Sequence, residues 1–335
     1  MPHPDVQAMF PDAPPRAAMY ESLYLRAVAP DRPLGVWIRY TVHRHGGPTP
    51  SPPQGSVWCT VFDGPDQAPF MHKLTTGQLS VPAGRWIAVG ASELGPAHAE
   101  GVCGEARWSL RFASLEPELR HLPHALLYRA PLPRTKPSSP APLARFDGTL
   151  VLGARAIELD GWRGMVGHNW GAQHAERWIW LHGIGFGEDP DAWIDVAIGR
   201  VRVAGRTTPW IANGALHIDG ARHRLGGLGA RGLLVAERPD RCTLSLPGAD
   251  GLVVEAHVRA PSAALAGWRY ADPRGSRSQS GGHHDVSNCS IAALTLVVRR
   301  PGHSARTLHT AHGAAYELGM SERDHGVPLA PFSDG

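Results

Sequence analysis

Hydrophobic and polar positions alternate with a period of two along much of the chain. In the run Val36–Val42, Val36, Ile38, Tyr40 and Val42 fall on one side and Trp37, Arg39 and Thr41 on the other. Ala106, Trp108, Leu110 and Phe112 alternate in the same way with Arg107, Ser109 and Arg111. Successive side chains of an extended chain point to opposite faces, so this pattern predicts half-buried strands. Further β-rich runs cover Ser56–Phe62, Arg85–Val89, Gly148–Gly153, Gly161–Trp170, Arg177–Gly183, Trp193–Val203, Trp210–Ile218, Gly251–Arg259, Ser287–Arg299 and Thr307–Leu318. Asp-Gly pairs at Asp147, Asp160, Asp219 and Asp250 supply the turn chemistry between such runs. Helical periodicity is weak, and only Ala13–Ser22 and Glu116–Leu127 have room for a short helix. The segment Ala130–Pro142 carries five prolines and is expected to form neither helix nor central strand, but a linker or a strap across a barrel mouth. The pattern predicts an all-β protein with two antiparallel β-domains in tandem, at 15–187 and 188–322.

Composition narrows the function classes. Among 335 residues, 42% are hydrophobic, which excludes global disorder. Lys+Arg 33 against Asp+Glu 30 gives a net charge of +3, and the arginines are scattered. No basic face is gathered for a nucleic acid, so no nucleic-acid partner is expected. Gly 39 and Pro 31 point to many turns and short elements. No apolar run is long enough to span a membrane as a helix, although peripheral membrane contact stays open. The first ten residues lack a basic, then apolar, leader pattern. Cys59, Cys103, Cys242 and Cys289 are far apart, as expected of buried free thiols in a reducing cytoplasm.

Candidate chemistry concentrates in one stretch. Between Gly167 and Gly183 lie His168, Trp170, His174, Trp178, Trp180 and His182. His168 and Trp170 share one face of a strand, as do Trp178, Trp180 and His182 on the next. A third strand places Trp193, Asp195, Ala197 and Gly199 on one side. Large rings beside Ala and Gly leave volume unfilled, which is how a β-barrel makes a ligand cavity. Packed core tryptophans and histidines bonded to backbone carbonyls would produce the same pattern. A metal site built from His168, His174, His182 and Asp195 matches no established spacing, so no metal is expected. His283-His284-Asp285, after the Gly275–Gly282 loop, is expected to be a solvated loop end. A hairpin across Gly171–Ala175, with Gly171 at positive φ and His174 in the turn, would join the rings into one wall.

Gly167-His168-Asn169-Trp170-Gly171 followed by Glu176-Arg177-Trp178-Ile179-Trp180 resembles the lipocalin-like superfamily of carotenoid 1,2-hydratase (hydroxyneurosporene synthase) and tocopherol cyclase. The resemblance implies two tandem lipocalin-like β-barrels. It also implies polyene protonation by a His-x-Trp and an aromatic-x-Asp, which match His168, Trp170, Trp193 and Asp195. The sequence departs from the hydratase pattern at Trp193, where that pattern has a phenol.

The expected function is that of a cofactor-independent acid/base enzyme, a cyclase, isomerase or hydratase acting on a hydrophobic isoprenoid- or polyene-like molecule. Asp195 is the expected acid, held neutral in an apolar site, with His168 orienting or recharging it. Asn169, Trp170, Trp178, Trp180, His182 and Trp193 are the expected substrate walls, their π-faces stabilising a cation. The competing class is a hydrophobic-ligand carrier using the same cavity without turnover.

Overall fold

The computed structural model describes residues 6–49, 51–203, 205–275 and 282–332. Its strands form two large antiparallel sheets that follow one another along the chain. The first sheet contains β1 (Met19–Val28), β2 (Leu34–Arg44), β3 (Gln54–Asp63), β4 (Phe70–Thr76), β5 (Leu79–Ser80) and β6 (Ile87–Val89). It continues with β7 (Ser92–Leu94), β8 (His98–Cys103), β9 (Ala106–Ser114), β10 (Leu119–Arg120), β11 (Thr135–Leu152) and β12 (Arg155–Gly171). Their order is β4-β3-β2-β1-β12-β11-β9-β8-β7-β6-β5, with β10 paired to β11. β3 approaches β6 and β8, and β4 approaches β8, so the sheet curls into a nearly closed barrel.

The second sheet starts with β13 (Arg177–Gly183) and β14 (Trp193–Arg200). A small ribbon of β15 (Arg202–Val203) and β16 (Arg206–Thr207) interrupts it. It resumes with β17 (Ile211–Ile218), β18 (Ala221–Gly226), β19 (Leu234–Arg238), β20 (Arg241–Pro247), β21 (Val253–Arg259) and β22 (Ala266–Ala271). β23 (His283–Arg299) and β24 (Arg306–Met320) complete the order β18-β17-β14-β13-β24-β23-β21-β20-β19, with β22 paired to β23. The all-β expectation holds: among the described residues the only helices are short 3-10 turns. None is long and apolar enough to cross a membrane. All four cysteines are buried and free.

Two cores result. One fills the first barrel with Leu23, Leu25, Val36, Ile38, Trp108, Phe146 and Val166. The other joins Ile179, Val196, Leu244 and Leu294 of the second sheet to Tyr24, Trp37, Trp58 and Met165 of the first. β1 therefore packs on both sides. Leu23, Leu25 and Ala27 point into the barrel, while Tyr24 and Val28 point at the second sheet. Every residue of β1 is buried.

Several sequence expectations need correction. Ala13–Ser22 is not a helix, because β1 starts at Met19, and Glu116–Leu127 holds only the start of a 3-10 turn at Ala125–Tyr128. The proline-rich segment becomes strand from Thr135 and lies between β12 and β9. Its prolines are tolerated because register shifts break the ladder between Ser138 and Ala144, and β9 pairs only from Ala144. The hairpin across Gly171–Ala175 does not form: β12 pairs β1 and β11, whereas β13 pairs β14 and β24. Trp178, Trp180 and His182 thus belong to the second sheet, whereas a boundary at 187 assigns them to the first domain. His284 and Asp285 are buried within β23 rather than solvated, with Asp285 held by Arg269, Arg323 and His325. Most of the Gly275–Gly282 loop lies outside the described residues.

Candidate functional site

Asp195 sits in the middle of β14, fully buried, with His182 of β13 as its register partner. Trp180 lies two residues before His182 on β13, on the same face, and its indole Nε1–H donates to Asp195 Oδ1 at 3.2 Å. The first domain completes the shell. Ser139 of β11 donates its hydroxyl to Asp195 Oδ2. His121, which follows β10, brings Nε2 to 3.3 Å from Asp195 Oδ1. Burial pushes the Asp195 carboxyl up, but the neighbouring His121 and the Ser139 hydroxyl outweigh it. The net result lies below the usual carboxylate value. Asp195 is therefore an anion, and the neutral acid expected from the sequence is corrected.

The imidazole of His182 has a defined tautomer. Arg26 of β1 donates to Nδ1 at 3.0 Å, so the ring proton is on Nε2, which donates to the Pro142 carbonyl at 2.9 Å. Burial, then the neighbouring Arg26 charge, lowers His182 to about 4, so it is neutral. His121 differs. It is 2% exposed, and neither ring nitrogen makes a hydrogen bond among the described residues: Nδ1 faces no partner, and Nε2 has only its 3.3 Å approach to Asp195 Oδ1. Its backbone is clamped from the second sheet: Arg224 of β18 donates to the carbonyls of Arg120 at 2.6 Å and His121 at 2.8 Å. Arg222 holds the preceding loop through the Glu116 carboxylate and the Pro117 and Glu118 carbonyls.

Aromatic faces close the site. The Tyr24 ring meets Trp180 edge-on, with centroids 5.3 Å apart. Gly167, opposite Tyr24 in the ladder, makes room for that ring: a Cβ there would lie 2.2 Å from Tyr24 Cζ. Burial and the charges of Asp195 and Glu317 push the Tyr24 hydroxyl well above the usual phenol value, so it stays a neutral donor. Glu317 of β24 accepts from Trp178 Nε1 at 2.9 Å and Asn288 Nδ2 at 3.2 Å. An anion, an imidazole with a free nitrogen, a phenol and π-faces can together move a proton and shield a developing cation.

The structure gathers some of the sequence-predicted residues and separates others. Trp178, Trp180, His182 and Asp195 lie together at the contact between the two sheets, not in a barrel lumen. His168 is elsewhere. Its Nε2 is 2.8 Å from Glu21 Oε1, and Glu21 also accepts the backbone amides of Met9 and Phe10. Trp170 stacks on His168 at 4.5 Å and reaches Tyr128 at 5.7 Å. His168 and Trp170 therefore tie the N-terminal segment and the Tyr128 turn to β12, and they do not touch Asp195. Asn169 points to the opposite face, its Oδ1 buried with no partner among the described residues. Trp193 is fully buried, parallel to His217 at 5.9 Å and under the Arg222 guanidinium at 5.0 Å. The metal grouping of His168, His174, His182 and Asp195 does not converge; among the described residues no cluster of metal-ligating side chains occurs. Tyr24, Arg26, His121 and Ser139 were missed. Only Arg26, a lone charge in the apolar run Leu23–Val28, carried a local signal.

No family model matches the chain. Uncharacterized proteins of two Mycobacterium tuberculosis strains, CDC 1551 / Oshkosh and ATCC 25618 / H37Rv, are each 27% identical over 248 residues, covering 68% of this chain and 74% of theirs. Among solved structures, CghA superposes with a TM-score of 0.60 at 14% identity, over 97% of this chain and 96% of CghA. CghA with Sch210972 gives 0.60 at 13% identity, over 90% and 88%. Kievitone hydratase from Nectria haematococca gives 0.50 at 7% identity, over 91% and 89%. The fold is therefore the one CghA has, with antiparallel lipocalin-like β-barrels in tandem.

Proposed function

We propose that the protein is a cofactor-independent acid/base enzyme, a cyclase, isomerase or hydratase, acting on a hydrophobic isoprenoid- or polyene-like molecule where the two sheets meet. The observation that carries this reading is the buried Asp195–His121 contact, whose outer nitrogen, His121 Nδ1, has no protein partner among the described residues. A substrate atom placed at Nδ1 completes the set. In this scheme His121 gives a proton to an alkene carbon or a carbonyl oxygen, and Asp195 offsets the charge of the imidazolium beforehand. Trp180 and Tyr24 present π-faces to the resulting cation, at roughly 2 kcal/mol for a desolvated ring. Return of a proton from carbon to His121 yields an isomer or a ring; attack by water, whose surplus proton passes to His121, yields a hydrate. Sch210972 accompanies CghA, and kievitone hydratase is named for a hydration, which supports small-molecule chemistry in this architecture.

Native mass spectrometry of freshly purified protein is expected to find a co-purified hydrophobic compound. Against that compound, Asp195→Asn should lose turnover while keeping affinity within a few fold. A carrier would show no turnover in either form, and retained turnover in the variant would remove Asp195 from the chemistry.

A further inference from the structure

His121 opens the strap of residues 121–134 that joins β10 to β11. The ladder between those strands covers only Leu119–Ser139 and Arg120–Ser138, so it ends one residue short of His121. The peptide unit between His121 and Leu122 is held by side chains instead. Its carbonyl accepts from Arg224 at 2.8 Å. Its N–H, that of Leu122, donates to the Tyr128 hydroxyl at 3.1 Å, and the same hydroxyl donates to the Pro137 carbonyl at 2.7 Å. Pro137 lies two positions before Ser139, which donates to Asp195. One phenol oxygen therefore ties together the two chain segments that bring His121 and Ser139 to the carboxylate. Burial pushes that phenol up to about 12, so it keeps its proton and serves as donor and acceptor at once.

Tyr128 ends a short 3-10 turn, Ala125–Tyr128, in which no residue is buried and Leu126 is 77% exposed. Such a turn has little packing of its own to fix a ring. The ring is braced from outside. Trp170 of β12 lies 5.7 Å from it, and the Arg120 guanidinium lies over it at 5.9 Å. Trp170 in turn stacks on His168 at 4.5 Å, and His168 Nε2 is fixed 2.8 Å from Glu21 Oε1 on β1. The series Glu21, His168, Trp170, Tyr128 thus runs from the centre of the first sheet to the His121 peptide. It gives the His-Asn-Trp segment a way to act on a site that it does not touch.

We infer that Tyr128 is a positioning residue of the Asp195–His121 centre, and that His168 and Trp170 serve the reaction through it. The inference rests on the proposed function for what His121 does, and on hydrogen bonds and ring contacts for where His121 is held. The imidazole approaches Asp195 at 3.3 Å with no hydrogen bond of its own, so its aim depends on its backbone. A displacement of about 1 Å at a reacting group costs on the order of a hundredfold in rate.

Diethyl pyrocarbonate, which modifies accessible imidazoles, tests the hold on the intact protein, with peptide mass spectrometry as the readout. His284 of β23 is the internal control, 1% exposed and also without a hydrogen bond at either ring nitrogen among the described residues. Tyr128→Phe, which keeps the ring and removes the hydroxyl, should raise the rate of modification at His121 at least tenfold and at His284 less than twofold. Trp170→Ala should do the same, and Trp170→Phe, which restores a ring, should stay within threefold of wild type. Unchanged protection of His121 in folded Tyr128→Phe, or a parallel rise at His284, would overturn the inference. If a variant does not fold, amide exchange in the wild type decides. Leu122 should exchange at least a hundredfold more slowly than Leu126 of the same strap, and equal rates would overturn the latch. Against the co-purified compound, Tyr128→Phe should lower kcat at least tenfold with KM within threefold of wild type; an unchanged kcat in a variant that releases His121 would remove the positioning role. Release of His121 with no turnover in any form, the wild type included, would keep the latch and sink the acid/base reading, so the two fail separately.

Discussion

A carboxylate with no solvent contact keeps its charge only where polar groups surround it, and Asp195 has the donors Ser139 and Trp180 with His121 beside them at 3.3 Å. The neighbouring His182 is the complementary case, a buried imidazole kept neutral. Its value of about 4 lies below the ordinary 6.5, so the unfolded chain takes up a proton in a range where the native protein does not. Stability is then complete above pH 6.5 and falls as the pH drops from 6.5 toward 4, by on the order of 3 kcal/mol for this group. His284, lowered to about 4 by burial and then by the Arg323 charge, adds a second contribution of the same sign. Urea unfolding at pH 7 and pH 4.5 should show the loss in the wild type and a smaller one in His182→Gln, where His284 and His174, both also lowered by burial, still contribute; an identical loss in both would remove His182 from this linkage.

At the scale of elements, the strand β12 and the strap before β11 are held at close range by a glycine. A Cβ at Gly171 would lie 1.7 Å from the Arg134 carbonyl oxygen, and Gly171 has no positive φ. Its role is backbone approach, not the turn expected from the sequence. Gly171→Val is still expected to destabilise, by about 3 kcal/mol or more, and Gly171→Ala nearly as much, since the first carbon is what clashes. Thermal melts check this: an Ala variant within a degree or two of wild type would refute the close-approach account. His174, expected to be a dispensable turn residue, instead packs against Tyr20, with ring centroids 4.1 Å apart. The strands with one buried face and Asp-Gly turns were legible from alternation. β1 was not, because both of its faces are buried and its polar Glu21, Ser22 and Arg26 find partners far along the chain. The β11 strap was hidden by its prolines, whose tolerance depends on a ladder interruption that only the folded sheet reveals.

At the scale of the molecule, the candidate site belongs to neither domain alone. Asp195, Trp180 and His182 come from the second sheet, while Tyr24, Arg26, His121 and Ser139 come from the first. Asp195 and its tryptophans could be read from local sequence, but their partners could not, since Ser139 and Asp195 are 56 positions apart and Arg26 and His182 are 156 apart. Arg224, gripping the carbonyls on either side of the His121 peptide link, is the positioning residue of that union. Arg224→Met should reduce turnover at least tenfold and stability by only about 1 kcal/mol, leaving affinity for the ligand near wild type; unchanged turnover would show that His121 holds its place without the clamp. The central claim, that the paired Asp195 and His121 move a proton to and from a carbon skeleton, has a direct readout. The co-purified compound and a panel of polyenes are incubated with the protein in deuterated water, and mass spectrometry then counts deuterium bound to carbon. The account predicts incorporation with the wild type and none with Asp195→Asn or His121→Phe, although both variants still bind the compound. Incorporation by those variants at the wild-type rate, or tight binding by the wild type with no deuterium on any carbon, would contradict it.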